Sequence, residues 1–297
     1  MLPSFLGIGA QRSGTTWLHA MLSSHPGLWL PHRKELHYFD QKYPAKRTQS
    51  GHRPRPGRGL IVRRIAGRAR RLRAPDALRR LATTSWRNLS WDLRYFFGGW
   101  NDDWYESLFE GAGNRMAGEI TPAYSCLESQ AIACVKKLLP DAKLILLLRD
   151  PIERAWSHAK MEIGTSAARL QGGDAEFIAH FSGSASRQRG DYVGMIDRWT
   201  RYYDPDQLFI GFYDDIQRNP VDLLERIFSF LRVDASPASI PDSARMSVNA
   251  GSREPIPLHL HRHLARIYAP ELAQLAARFG GYPAYWFQRC NSVLSGA

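Results

Sequence analysis

Residues Phe5 to Leu22 read FLGIGAQRSGTTWLHAML. Phe5-Leu6-Gly7-Ile8 is an apolar run that reads as a buried strand, Gly9 to Gly14 is a short glycine-bearing turn, and Thr15-Thr16-Trp17-Leu18 opens a helical pattern. Strand, glycine turn and helix N-terminus together make an anion site. Backbone N–H groups point out of such a turn, and the aligned peptide dipoles add about half a positive charge. The spacing Gly9-x4-Gly14-Thr15-Thr16 comes close to the phosphate-loop pattern G-x-x-x-x-G-K-[ST]. One position departs: Thr15 stands where lysine should, and a cation, Arg12, comes earlier in the loop. The stretch therefore reads as a phosphate cradle outside ordinary nucleoside-triphosphate chemistry. The plain alternative is a glycine turn in an α/β protein with no ligand.

The rest of the chain supplies the sheet. Leu28-Trp29-Leu30 is a short second strand, Arg115 to Ile120 a third, Lys143 to Leu148 (KLILLL) a fourth and Gln207 to Tyr213 a fifth. A near-continuous apolar run such as KLILLL means burial on both faces, as in a parallel sheet. Helical patterns lie between them: Leu127 to Leu139, Ile152 to Ile163 behind Pro151, Asp191 to Tyr203, and Pro220 to Leu231. A last helix runs from Leu258 to Phe279 and is expected to break near Pro270. Alternating strands and helices predict one α/β domain over 1–297 with a central, mostly parallel sheet flanked by helices. Ligands in such sheets sit beyond the carboxyl ends of the strands. Arg12 and Arg149 both follow strands directly.

From about 45 to 100 the chain carries an Arg-rich insertion. HRPRPGRG at His52 to Gly59 cannot form regular structure, and Leu60 to Arg73 reads as a short basic amphipathic helix. It suits an acidic polymer or a membrane surface. A solvated insertion, or a helix packed on the core with Arg outward, fits the same pattern.

Composition agrees with a folded basic protein. The chain has 297 residues, 44% hydrophobic and 23% charged, with a formal net charge of +12. Wholesale disorder is excluded, and anionic partners are favoured. The three cysteines, Cys126, Cys134 and Cys290, are odd in number and widely spaced, with no Cys-x-x-Cys. Neither a disulfide framework nor a zinc site is suggested, which fits a reducing compartment. No signal peptide or apolar stretch of about 20 residues is read, so the expected location is cytoplasmic.

Two more stretches carry chemistry. Pro31 to Asp40, PHRKELHYFD, crowds charged and aromatic groups, and in an extended segment Glu35, His37 and Phe39 share one face. Arg149-Asp150-Pro151 ends the strongest strand, with Ser157 two turns into the next helix. Arg and a hydroxyl suit phosphate oxygens, so one sheet edge offers two separate anion sites. A nucleoside phosphorylated at both ends would fit. Glu35 could equally be a surface carboxylate paired with Lys34 or Arg33, and Arg149 could simply pair with Asp150 or Glu153.

Taken together these stretches resemble the PAPS-dependent sulfotransferases, where PAPS is 3′-phosphoadenosine 5′-phosphosulfate. Gln11 to Leu18 is similar to the family's 5′-phosphosulfate loop, and Leu146 to Ser157, LLLRDPIERAWS, to its 3′-phosphate strand and helix. Lys34 to Asp40, Glu119 to Tyr124, and Gly190-Asp191-Tyr192 with Trp199 resemble stretches of the heparan-sulfate branch and bacterial relatives.

The resemblance implies a P-loop-like three-layer fold and sulfuryl transfer from PAPS, releasing PAP, without a metal. Carried over by position, Arg12 replaces the loop lysine and would stabilise charge on the bridging oxygen. Arg12, Ser13, Gly14, Thr15 and Thr16 would hold the 5′-phosphosulfate, and Arg149 and Ser157 the 3′-phosphate. Ser252 and Arg253 look like the late donor-binding loop. Glu35 matches the general base, with His37 the other candidate, and His37 and Asp40 would position the base or acceptor. Two departures stand out: Arg12 for Lys, and Ile120 where several carbohydrate sulfotransferases carry Lys. The acceptor implied is a carbohydrate or small-molecule hydroxyl or amine, including anionic ones, and nucleic acid is not expected. A kinase-like phosphotransferase with Asp150 as the metal-binding acid is the competing enzyme reading. A non-catalytic binder of acidic polymer is the third.

Overall fold

The computed structural model describes residues 1–44, 86–164, 174–245 and 255–296. The chain divides into two compact units, Met1–Tyr43 with Phe109–Ala297, and Pro44–Leu108. The basic stretch read as an amphipathic helix, and the Ser252–Arg253 pair, lie outside the described residues.

The elements in chain order are β1 (Phe5–Gly9), α1 (Thr15–Ser24), β2 (Leu28–Trp29), α2 (Tyr38–Lys42), α3 (Trp86–Phe97), α4 (Asp102–Ser107), β3 (Met116–Ile120) and α5 (Ser129–Leu138). Then come β4 (Lys143–Leu148), α6 (Pro151–Ile163), α7 (Asp174–Ser182), α8 (Ser184–Gln188), α9 (Tyr192–Thr200), β5 (Leu208–Phe212), α10 (Tyr213–Arg218), α11 (Pro220–Leu231), α12 (Leu258–Phe279) and α13 (Gly281–Ser295).

In the larger unit five strands form a sheet in the order β2-β3-β1-β4-β5. Every pairing is parallel, with Phe5 opposite Gly118 on one side and Lys143 on the other. The apolar runs of β1 and β4 occupy the middle of this sheet, and from Leu144 to Leu148 every β4 residue is buried. Gly118 is glycine because of that packing: a Cβ there would stand 2.2 Å from the Phe5 ring. On one face Trp17, Leu18 and Leu22 of α1 and Leu224, Ile227 and Phe228 of α11 close over Phe5, Ile145 and Leu147. Ile120 belongs to this core. Its side chain packs where Gly7 leaves room for it.

The helix α12 runs unbroken through Pro270. Proline removes one ladder hydrogen bond, but burial of Leu264, Tyr268, Leu272 and Leu275 on one stripe holds the helix together. It packs along α13 and touches α6, α7 and α9.

In the smaller unit, α3 and α4 are tied by indole donors. Trp91 Nε1 donates to Leu108 O at 2.8 Å and Trp104 Nε1 to Arg94 O at 2.7 Å. Asn101 caps α4 by accepting from Trp104 N at 2.9 Å.

Candidate active site

β1 and β4 are parallel neighbours in the sheet. Their carboxyl ends therefore open into one crevice, the place where parallel sheets bind ligands. Ala10 N extends the pairing by donating to Leu147 O at 2.8 Å. The chain then turns through Arg12 (φ 69°) and Gly14 (φ 86°). Gly14 is required twice over, since its φ is left-handed and a Cβ would lie 2.3 Å from Ile216 Cδ1. Ser13 is fully buried, and α1 starts at Thr15, whose first turn lines the crevice; the first N–H groups of a helix have no intrahelical partner.

Arg12 does not lie over this turn. Its Nε and Nη2 both reach Ser157 Oγ at 3.1 Å, and Nη1 sits 3.5 Å from Met161 Sδ. Arg149 Nη1 donates to Arg12 O at 3.4 Å, and its guanidinium lies 4.6 Å over the Tyr213 ring. Arg149 has Glu153 at 3.6 Å, whereas Arg12 has no carboxylate partner among the described residues. Burial first, and then repulsion from Arg149, pull the Arg12 pKa down. Two cations held together with one carboxylate between them leave positive charge in excess, as an anion site needs.

Asp150 is the N-cap of α6, accepting from Ile152 N at 2.9 Å. Burial, with the Glu153 charge second, raises its pKa to about 7.

The charged segment after β2 is folded, not extended. Glu35 and His37 both take left-handed conformations, with φ of 67° and 57°, and Phe39 is buried on α2. Backbone bonds explain the turn: Glu35 N donates to Ile120 O at 3.0 Å, and Tyr38 N to Tyr124 Oη at 3.0 Å. Tyr124 is itself anchored by donating to Glu119 Oε1 at 3.0 Å, while Thr121 Oγ1 donates to Glu119 Oε2 at 2.7 Å. The buried Glu119 thus fixes the segment from the end of β3.

The turn gathers four charges. Lys34 Nζ lies 2.9 Å from Glu35 Oε1, 3.2 Å from Thr15 Oγ1 and 3.4 Å from Thr16 Oγ1. His37 Nε2 is 3.4 Å from Glu35 Oε2, and its Nδ1 is 2.9 Å from Asp40 Oδ2. The hydrogen bond from His37 outweighs burial and, with Lys34, brings the Glu35 pKa to about 2. For His37 burial opposes the charge, but hydrogen bonds to Asp40 and Glu35 win and raise its pKa to about 9. Glu35 and His37 therefore form an ion pair at neutral pH, with Lys34 and Asp40 at its two ends.

A cleft of about 1130 Å³ joins both clusters, with Arg12, Thr15, Thr16, Lys34, Glu35, Arg149 and Ser157 on its wall. A nucleotide-sized ligand fills only part of such a space. His37 and Asp40 stand behind Glu35. Asp191, Tyr192 and Trp199 serve the scaffold: Asp191 caps α9 and pairs with Arg198 at 3.2 Å, and both aromatic residues are buried. Sequence reading missed the place of Lys34 in the cleft, because adjacency to Glu35 suggests only a surface pair. It also missed the anchoring role of Glu119, although Glu119, Thr121 and Tyr124 stand close together at the end of a buried strand.

The profile described as the sulfotransferase family matches residues 3–237. A membrane-associated sulfotransferase, kil1, of Dictyostelium discoideum is 27% identical over 162 residues, 54% of this chain and 23% of that protein. The human bifunctional heparan sulfate N-deacetylase/N-sulfotransferase 3 is 25% identical over 242 residues, covering 78% of this chain and 22% of the human protein. The chain thus spans under a quarter of the length of these relatives. A crystal structure of a sulfotransferase from Alicyclobacillus acidocaldarius superposes with a TM-score of 0.62 at 23% identity, covering 96% of this chain and 99% of that one. It shares the P-loop-like parallel-sheet fold. With residues 3–237 of 297 matched, the chain belongs to the sulfotransferase family.

Proposed function

We propose that this protein transfers a sulfuryl group from PAPS to an acceptor hydroxyl or amine, on a carbohydrate in the first instance. One observation carries the reading: a single cleft joins a cationic pair at the ends of β1 and β4 to a separate carboxylate chain over the helix α1 N-terminus. The first suits the 3′-phosphate of the donor, through Arg149 and Ser157 with Arg12 beside them. The second suits the reacting end. The turn Ser13-Gly14-Thr15-Thr16 would take the 5′-phosphosulfate on backbone N–H groups and hydroxyls. Glu35, fully ionised at neutral pH, would accept the acceptor's proton as its oxygen or nitrogen bonds to sulfur. His37 and Asp40 hold that carboxylate in place. The S–O bond to the 5′-phosphate breaks in line, and its electron pair stays on the phosphate oxygen of PAP. Catalysis on this reading comes from positioning and charge stabilisation. The name of the human relative supports a carbohydrate acceptor, and the Arg-rich insertion suits an anionic one.

Transfer of labelled sulfate from PAPS across carbohydrate, small-alcohol, amine and peptide acceptors tests the proposal. Label is expected in a carbohydrate. Label in none of the panel, with no PAP formed, would overturn it. Transfer of phosphate from a nucleoside triphosphate with Mg²⁺ would replace it by a kinase reading.

A further inference from the structure

The phosphate turn lacks the lysine that its spacing calls for, and Thr15 occupies that position. The nearest cation in sequence, Arg12, is spent elsewhere: both Nε and Nη2 are on Ser157 Oγ at 3.1 Å. Its backbone carbonyl accepts from Arg149. The ammonium that does stand over the start of α1 comes from a different element. Lys34 Nζ is 3.2 Å from Thr15 Oγ1 and 3.4 Å from Thr16 Oγ1. It is delivered there by a turn locked at Glu35 N to Ile120 O. It also touches the carboxylate proposed as base, at 2.9 Å.

We propose that Lys34, not Arg12, is the cation that meets the charge developing on the bridging oxygen, while Arg12 joins Arg149 and Ser157 in gripping the 3′-phosphate. This rests on the PAPS reading given above. Three points favour the exchange of roles. The hydroxyls that flank Lys34 open helix α1, where backbone N–H groups add to the same field. A lysine ammonium can pass a proton on, and a guanidinium cannot. Lys34 and Glu35 form one chain, so the proton balance closes within it. The acceptor O–S bond forms and its proton goes to Glu35. The bridging S–O bond breaks and its electron pair stays on the phosphate oxygen, which takes a proton from Lys34. Glu35 then returns the proton to Lys34 across the 2.9 Å contact.

Calorimetry and single-turnover decay of labelled PAPS, with water as acceptor, separate the two cations. Lys34→Met is expected to bind PAP within about threefold of wild type but to consume PAPS about 10²–10³-fold more slowly, the usual cost of losing one such donor. Lys34→Arg restores the charge and should recover part of that loss. Arg12→Met should weaken PAP about 10–100-fold, as for losing a charge-assisted bond, and leave adenosine 5′-phosphate binding unchanged. Circular dichroism confirms that each variant is folded. Unchanged PAPS decay in Lys34→Met, or unchanged PAP affinity in Arg12→Met, overturns the exchange while leaving the sulfotransferase reading intact. A wild-type protein that neither binds PAP nor consumes PAPS overturns that reading and this assignment with it.

Discussion

Glu35 has cations on both sides, Lys34 at 2.9 Å and His37 at 3.4 Å, and its behaviour with pH follows from them. Its pKa is about 2 against an ordinary 4.5. Its share of stability is therefore complete above 4.5 and lost as the pH falls toward 2. His37 has the opposite sign. Raised from 6.5 to about 9, it contributes fully below 6.5 and loses that contribution as the pH rises through 9. Replacing Glu35 by Gln keeps the shape and removes the proposed proton acceptor. It should lower kcat by about 10²–10⁴-fold and leave PAP affinity within about threefold, which turnover and calorimetry measure together. Equal loss of kcat and PAP affinity would mean that the residue binds donor. Replacing His37 by Ala removes the leading cause of the low Glu35 pKa. The acid limb of kcat/KM should then move up toward about 4.5, the ordinary carboxylate value, while the wild-type profile stays flat from pH 8 to 5. An unmoved limb would show that His37 does not control Glu35.

At the scale of elements, what was legible depended on pattern strength. The turn from β1 into α1 is fixed by its glycines, and KLILLL, a short apolar run between Pro140-Asp141 and Pro151, reads as a buried strand. The segment around Glu35 was read as extended because its bonding partners, Ile120 O and Tyr124 Oη, are remote in sequence. The helix α13 was not foreseen at all: Gly281-Tyr282-Pro283 and a run of aromatic residues score poorly as helix formers. Burial of Pro283, Trp286 and Cys290 on one face nevertheless stabilises it. The cap of α6 gives a prediction at this scale. Asp150→Ala removes the acceptor for Ile152 N and should cost about 1 kcal/mol, a fall in Tm of about 2–4 °C. Asp150 has a raised folded pKa, from 3.8 to about 7. Its ionisation therefore erodes stability progressively as the pH rises through that window. Asp150→Asn keeps an acceptor without the charge, so thermal melts at pH 8 should show it at least as stable as wild type. A loss there as large as for Ala would assign Asp150 a necessary negative charge, supplied to Arg289 at 3.9 Å.

For the whole molecule, alternating strands and helices foretold a parallel sheet. They could not give its order, which depends on packing between strands distant in sequence. That order is what sets the ends of β1 and β4 side by side and brings Arg12 to Ser157, across 145 positions of chain. In the described residues no helix is long and apolar enough to cross a membrane. The net charge of +12 suits an anionic donor and acceptor, but charge alone names neither. The most direct measurement is calorimetry of PAP against adenosine 5′-phosphate in buffer containing EDTA. PAP is expected to bind at least about tenfold more tightly, a difference of about 1.4 kcal/mol, because only PAP carries the phosphate proposed for Arg149, Ser157 and Arg12. Equal affinities, or loss of PAP binding on chelation, would contradict it.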